Sequence, residues 1–175
     1  MLRILDITAP DINNGNGIRV TLWVAGCTNH CKGCHNQWTW DFNQGRVFKE
    51  CKEDIYAELS NWLDRDYVEG LTFSGGDPIT QDREALKEEL EIMTWFRNKY
   101  PNKNIWLYTG LTFEQIMQKK SLFDIKSLKV QNAQRDILNN IDVLVDGPYI
   151  EELRDIAHCP FRGSTNQRII VKPTQ

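Results

Sequence analysis

The chain has 175 residues, 41% hydrophobic and 26% charged, with six Trp and a formal net charge of −3. A chain of this length buries about 70% of its unfolded surface in one core, so it needs no metal to fold and is not a disulfide-stapled miniature. The small negative charge without a basic block argues against a nucleic-acid surface, and no apolar run approaches membrane-spanning length; a soluble, cytoplasmic, single domain over 1–175 is expected.

Residues 2–8 alternate enough to predict a short strand that Pro10 closes, and Asn13-Asn14-Gly15-Asn16-Gly17 reads as a turn. β-Branched and aromatic residues from Ile18 to Ala25 predict a second strand. It runs into Gly26 and the loop Cys27-Thr28-Asn29-His30-Cys31-Lys32-Gly33-Cys34, followed by His35-Asn36.

The CxxxCxxC spacing is a metal-sulfur signature, because each thiolate can reach a different corner of one cluster. A cubane 4Fe-4S cluster is normally held by four Cys ligands, so a loop that supplies three leaves one iron open. An open coordination position separates a catalytic metal site from a closed structural one. The loop therefore reads as a place where a substrate or cofactor meets iron. A Cys3His zinc site completed by His30 or His35 is the competing reading, although the second cysteine pair usual in structural zinc is missing. The other two cysteines, Cys51 and Cys159, lie apart in the sequence, and the whole set fits a reducing compartment. Cys51 reads most simply as a structural thiol, with a fourth-ligand role left open.

After the loop, Trp38, Trp40 and Phe42 either pack beside a cluster or fill core. Residues 50–63 carry Ile55, Leu59 and Trp62 at helical spacing. Leu71-Thr72-Phe73-Ser74 is a strand that runs into Gly75-Gly76-Asp77-Pro78. Two glycines at a strand end let a ligand approach the backbone, although a plain turn would use the same residues. One strand-helix unit after the cysteines, this turn is a candidate for a cofactor's polar end. A helix over 82–100 carries Leu86, Leu90, Met93 and Phe96 and ends at Pro101. Asn104 to Tyr108 is a strand followed by Thr109-Gly110. Residues 112–140 are helical in patches, with Phe113, Ile116 and Met117 as an apolar face. Ile141 to Val145 reads as a buried parallel strand, and Asp146 after it is either at the site's end of the sheet or a turn cap. An Arg-containing loop, Phe161 to Arg168, precedes a last strand, Ile169-Ile170-Val171.

In this order, Asn14 to Arg19, Gly26-Cys27 through Cys34-His35-Asn36 with Thr39-Trp40, Ser74 to Pro78, Trp106 to Gly110, Val143 to Gly147 and Arg162 to Gln167 resemble the radical S-adenosylmethionine enzymes. More narrowly, they resemble the small glycyl-radical activase family that serves anaerobic ribonucleoside-triphosphate reductase. Gly33 replaces the aromatic residue that many radical S-adenosylmethionine enzymes carry before the third cysteine. His35 stands where Tyr is common in the reductase activases, and Cys-His-Asn is similar to the formate-lyase activating enzymes. The stretch 119–140 is longer than that family usually needs.

The resemblance implies an α/β fold forming an incomplete β/α TIM-like barrel, since about 250 residues is typical of a closed one. It implies that Cys27, Cys31 and Cys34 hold a 4Fe-4S cluster and that S-adenosylmethionine chelates the fourth iron through its methionyl amine and carboxylate. Gly33, Cys34 and His35 would lie near the adenosyl part, and Gly75, Gly76 and Asp77 would bind the methionyl amine. No catalytic residue is implied beyond cluster and cofactor. The implied partners are the large subunit of the reductase, in which a glycyl radical is made, and a low-potential electron donor such as flavodoxin. Arg162 and Arg168 would help dock the reductase or sit in a solvated loop. From a different class, a non-catalytic iron-sulfur electron carrier or a zinc-binding module would share the cysteine loop.

Overall fold

The computed structural model describes residues 1–118, 125–155 and 157–171. Its sheet has seven strands in the order β3-β1-β2-β4-β5-β6-β7, with β1 Arg3–Asp11, β2 Ile18–Val24, β3 Arg46–Val47, β4 Val68–Gly75, β5 Asn104–Tyr108, β6 Val143–Asp146 and β7 Arg168–Val171. The four strands β2, β4, β5 and β6 are mutually parallel, and β1 and β7 flank them antiparallel. The α/β expectation holds.

The connections between the parallel strands carry α1 Lys52–Leu63, α2 Arg83–Lys99, α3 Phe113–Met117 and α4 Ile125–Asn140. Asp82 accepts from the Ala85 N–H and caps α2, and Thr112 with Gln115 forms a capping box on α3. Period-2 alternation sends Val20, Leu22, Val24, Leu71 and Phe73 to one side of the sheet. There they share a single core with Ile55, Leu59 and Leu63 of α1, Leu86, Ile92 and Phe96 of α2, Ile116 of α3 and Ile137 of α4. All four helices thus join one core on one side.

The other side combines a small apolar cluster of Trp106, Val143 and Val145, with Phe161 packed on it, and a buried polar group. Arg19 is fully buried there, donating through Nε to Thr72 Oγ1 at 2.7 Å, through Nη1 to Asn16 O and Asn104 Oδ1, and through Nη2 to Leu71 O and Asn104 O. Its guanidinium also lies 5.4 Å from the Trp106 ring. Burial pulls its pKa down to about 10, which leaves it charged at neutral pH.

Pro10 does not close the first strand. β1 continues to Asp11 through an irregular register between Thr8 and Asp11. The two-residue β3 pairs only with Arg3 and Ile4, so Pro10 faces no neighbour there that would need its missing N–H. The predicted 112–140 region resolves into α3 and α4, and residues 119–124 of the long stretch lie outside the described residues.

α2 buries two carboxylates that its apolar spacing does not announce. Glu88 accepts from the Leu2 N–H and lies 3.1 Å from Lys49 Nζ. Glu89 is 0% exposed, and neither of its oxygens has a hydrogen-bond partner. Burial first, and the charge of Asp77 second, push the Glu89 carboxyl well above its ordinary value. The folded chain then binds this proton more tightly than the unfolded chain. Glu89 therefore favours folding most below the unfolded value of 4.5, and that contribution is lost as pH rises towards the folded value. Replacing Glu89 by Met is expected to raise stability at about pH 8 by about 1–3 kcal/mol and to flatten the fall in urea midpoint between about pH 5 and about pH 8.

Candidate metal centre

The cysteine loop leaves β2 at its C-terminal end, where the strand meets the turn after β4. Gly76 and Asp77 donate their N–H groups to Val24 O and Gly26 O, both at 2.8 Å. A Cβ on Gly76 would stand 2.2 Å from the Gly26 carbonyl oxygen, and Gly75 holds φ at +111° with Val24 O 2.6 Å from its would-be Cβ. Both glycines are thus required by the packing of one backbone on another. Gln81 locks the crossing by donating Nε2 to Ala25 O, Gly26 O and Asp77 O at 3.0–3.1 Å.

Asp77 is 1% exposed and ties three loops together. Its carboxylate accepts from Asn29 Nδ2 of the cysteine loop at 2.8 Å and from Ile79 N–H of its own turn at 2.9 Å. After β5 it also accepts from Thr109 Oγ1–H at 2.9 Å and from Gly110 N–H at 3.0 Å. Burial pushes its pKa up, against these hydrogen bonds, which favour the charged form. All four donors are neutral, so the fold holds this acid with dipoles alone.

These connections shape a cleft of about 550 Å³, within the range of small-molecule sites. Cys27, Cys31, Cys34, His35, Gly75 and Gly76 all line it. Gly33 and Asp77 do not: Gly33 turns against the Glu151 side chain, and the Asp77 carboxylate is used up inside the fold. The cleft extends past Tyr108 to Asn13 and Asn14 and is closed on its far side by residues 159–163. Tyr108 donates to Phe161 O at 2.9 Å, and the His35 ring lies 5.3 Å from that of Tyr149, so the C-terminal segment packs onto both β5 and the cysteine loop.

Burial pushes the Cys27 and Cys31 thiols up. Cys34 Sγ accepts from the Asn36 N–H at 3.4 Å. Metal must therefore displace protons to bind here, and loading is favoured by rising pH. Among the described residues no three His, Cys, Asp or Glu side chains converge on a single metal ion. His30 stacks on Trp40 at 4.6 Å between ring centroids, and the His35 ring lies against Tyr149. Cys51 donates to Val47 O at 3.1 Å and packs against the helical core, away from the cleft. The cysteine loop thus brings three thiols to the cleft, the pattern that suits a cluster with one open iron, and the buried Cys159 lines the same cleft from the C-terminal segment.

The remaining sequence candidates separate. Of the aromatic trio only Trp40 lines the cleft; Trp38 is half exposed beside Trp23, and Phe42 covers Gly26. Asp146 is a structural acid: it accepts from Phe113 N–H at 2.7 Å and from Arg168 Nε–H at 2.9 Å. Arg168 also pairs with Glu114, so its charge is spent within the chain. Arg162 instead lines the cleft. Asn29 and Tyr108 were missed in the sequence; the amide between two cluster-type cysteines is the signal that could have marked Asn29.

A family model described as a 4Fe-4S single cluster domain matches residues 13–170. The anaerobic ribonucleoside-triphosphate reductase-activating protein of Enterobacteria phage T4 is 37% identical over 160 residues, which are 91% of this chain and 87% of that protein. The protein of that name from Vibrio cholerae is 38% identical over 160 residues, 91% of both chains, and that from Escherichia coli K12 is 34% identical over 158 residues, 90% of both. The chain belongs to this activating-protein family. It accordingly carries a 4Fe-4S cluster domain, and the cysteine cleft lies inside the matched span.

Changing Asp77 to Asn turns an amide NH2 towards a shell made only of donors. The variant is expected to lose about 3 kcal/mol of stability by urea titration. Amide hydrogen exchange should quicken at Ile79 and Gly110, on two separate loops, while the α1 amides keep their protection relative to global unfolding.

Proposed function

We propose that the chain is the activase of an anaerobic ribonucleoside-triphosphate reductase, holding a 4Fe-4S cluster through Cys27, Cys31 and Cys34 and S-adenosylmethionine in the adjoining cleft. The observation that carries this reading is that the three cysteines of one loop, Cys27, Cys31 and Cys34, line a ligand-sized cleft at the C-terminal ends of the parallel strands, in a chain of this family. In this reading the seven-stranded sheet, with its helices on one side, is the incomplete barrel, and residues 1–175 are one domain.

When bound, cluster and S-adenosylmethionine supply reductive cleavage of the sulfonium C–S bond, whose 5'-deoxyadenosyl radical takes a hydrogen from a glycine Cα of the large reductase subunit. The chain's own residues position and exclude. Gly76 and Asp77 donate their N–H groups inward, so what this part of the turn offers a ligand is carbonyl oxygen, a match for the methionyl ammonium. Asp77 serves that end by fixing the turn to Asn29, Thr109 and Gly110, not by its own carboxylate. Cys34 and His35 border the adenosyl side, and Gly33 shapes the loop beneath them. Tyr108, Tyr149 and Phe161 form a wall that limits water. The target glycine enters from a polypeptide loop of the reductase. A low-potential donor such as flavodoxin supplies the electron, and the setting is the cytoplasm. Among the described residues no helix is long and apolar enough to cross a membrane.

Anaerobically reconstituted, reduced protein given S-adenosylmethionine is expected to release 5'-deoxyadenosine, and the reductase subunit added to it should show a glycyl radical by electron paramagnetic resonance. Cys31→Ala should abolish both signals and lose most of its iron, while Cys51→Ala should keep about four iron atoms per chain and both signals. Loaded, reduced wild-type protein that yields neither product nor radical in the presence of the reductase subunit would sink the reading.

A further inference from the structure

Among the described residues Arg162 is the only permanently charged side chain that lines the cleft, and no Asp or Glu lines it. The segment around it is firmly built. Tyr108 holds the Phe161 carbonyl, and Gln167 Oε1 accepts from Gly163 N–H at 2.8 Å and Ser164 N–H at 3.2 Å, while its Nε2 donates to Gly147 O at 3.0 Å. The guanidinium itself is barely used. Nη1 donates to Gln167 O at 3.0 Å, Nε is buried without an acceptor, and no carboxylate pairs with the group among the described residues. A guanidinium presents five N–H donors in a planar fork suited to a carboxylate. Leaving a buried N–H of that fork unpaired costs desolvation with nothing in return. The other arginine of this loop, Arg168, spends its fork on Asp146 and Glu114. Nε is sealed from solvent, but Nη2 makes no hydrogen bond among the described residues and is not sealed, so Arg162 keeps that nitrogen open for an anion in the wall of the cleft that the three loop cysteines line.

We propose that Arg162 is the carboxylate anchor of the cleft, binding the methionyl carboxylate of S-adenosylmethionine through the part of its guanidinium that the fold leaves unpaired. This rests on the cofactor assignment made above. It divides recognition of the amino-acid end between two walls: carbonyls near Gly75 and Gly76 for the ammonium, and Arg162 for the carboxylate. Both groups of the ligand are then oriented before either reaches iron. A guanidinium held in place also selects an intact amino acid over a ligand that carries the amine alone.

The test compares reconstituted wild-type protein with Arg162→Gln and Arg162→Lys. Each is titrated calorimetrically, without oxygen, with S-adenosylmethionine and with its decarboxylated analogue, S-adenosyl-3-(methylthio)propylamine. Arg162→Gln is expected to weaken S-adenosylmethionine binding roughly ten-fold or more while changing binding of the analogue less than about two-fold, and Lys should restore part of the loss as a point charge. The change that S-adenosylmethionine produces in the spectrum of the reduced cluster should half-saturate at a correspondingly higher concentration in Arg162→Gln. Equal weakening towards both ligands would overturn the proposal, because Arg162 would then act only through its loop. Unchanged binding of both ligands with slower radical formation in the reductase would overturn it in favour of a protein-facing role. Wild-type protein that binds neither ligand would refute the cofactor assignment itself, and with it this anchor, a result distinct from wild-type binding that is insensitive to residue 162.

Discussion

A single buried carboxylate, Asp77, sets the geometry on which the site depends. The loops that follow β2, β4 and β5 are separated by tens of residues in the chain, yet each supplies a donor to its two oxygens. No cation shares the pocket, so the group is stabilised by oriented dipoles and loses heavily if any of them moves away. The cysteine loop is also attached at its base, where Gly26 and Cys27 donate to Thr39 O and Trp40 O, and at its far end, where Lys32 meets Glu152 and the His35 ring lies against Tyr149. The contact between Asn29 and Asp77 is what brings the middle of that loop, between Cys27 and Cys31, to the strand ends.

The opposite wall has a comparable anchor two strands away. Asp146 at the end of β6 receives Phe113 N–H and the Arg168 side chain, which ties β7 and the start of α3 to the sheet. Between these two acids lies β5, whose Tyr108 reaches the Phe161 carbonyl. Each parallel strand from β4 to β6 therefore ends in a polar side chain that fixes a loop. The cleft is the space these fixed loops leave between them, and it belongs to the concentration of strand ends more than to any one motif.

Much of this order was legible along the chain. β-Branched runs gave β2, β4, β5 and β6, helical spacing gave α1 and α2, and the cysteine spacing marked the site before any coordinates were needed. What could not be read were contacts made across the fold. Gly75-Gly76-Asp77 reads locally as a ligand-binding turn, but the direction of the Asp77 carboxylate is decided by Asn29, Thr109 and Gly110, none of them its neighbour in sequence. The glycines are explained by the backbone of residues 24–26 pressing on them, which a one-dimensional pattern does not contain. Glu89 sits in the middle of the buried face of α2, one turn from Ala85, Leu86, Ile92 and Met93, so its burial follows from its place on the helix and not from its charge. Pro10 was read as a stop because an unpaired edge beyond β1 is visible only once β3 is seen to be so short.

The charge layout of the site follows from the same accounting of partners. Three acids are turned away from the cleft: Asp77 to its loops, Asp146 to Arg168, and Glu89 into the helical core. The cleft is left with the three thiols of the cysteine loop, the thiol of Cys159, amides, aromatic rings and Arg162. In the proposed holoprotein the thiolate-bound cluster is then the only concentrated negative charge that a ligand meets, and Arg162 the only fixed positive one. In that proposed reading a ligand carrying a sulfonium and a carboxylate would be drawn into one orientation by that pair, sulfonium towards the cluster and carboxylate towards the guanidinium. An exposed Asp77 would have offered the cationic end a second resting place. In the proposed holoprotein its burial would therefore serve orientation as well as stability, and the acid of the glycine turn would belong to the site without touching the ligand.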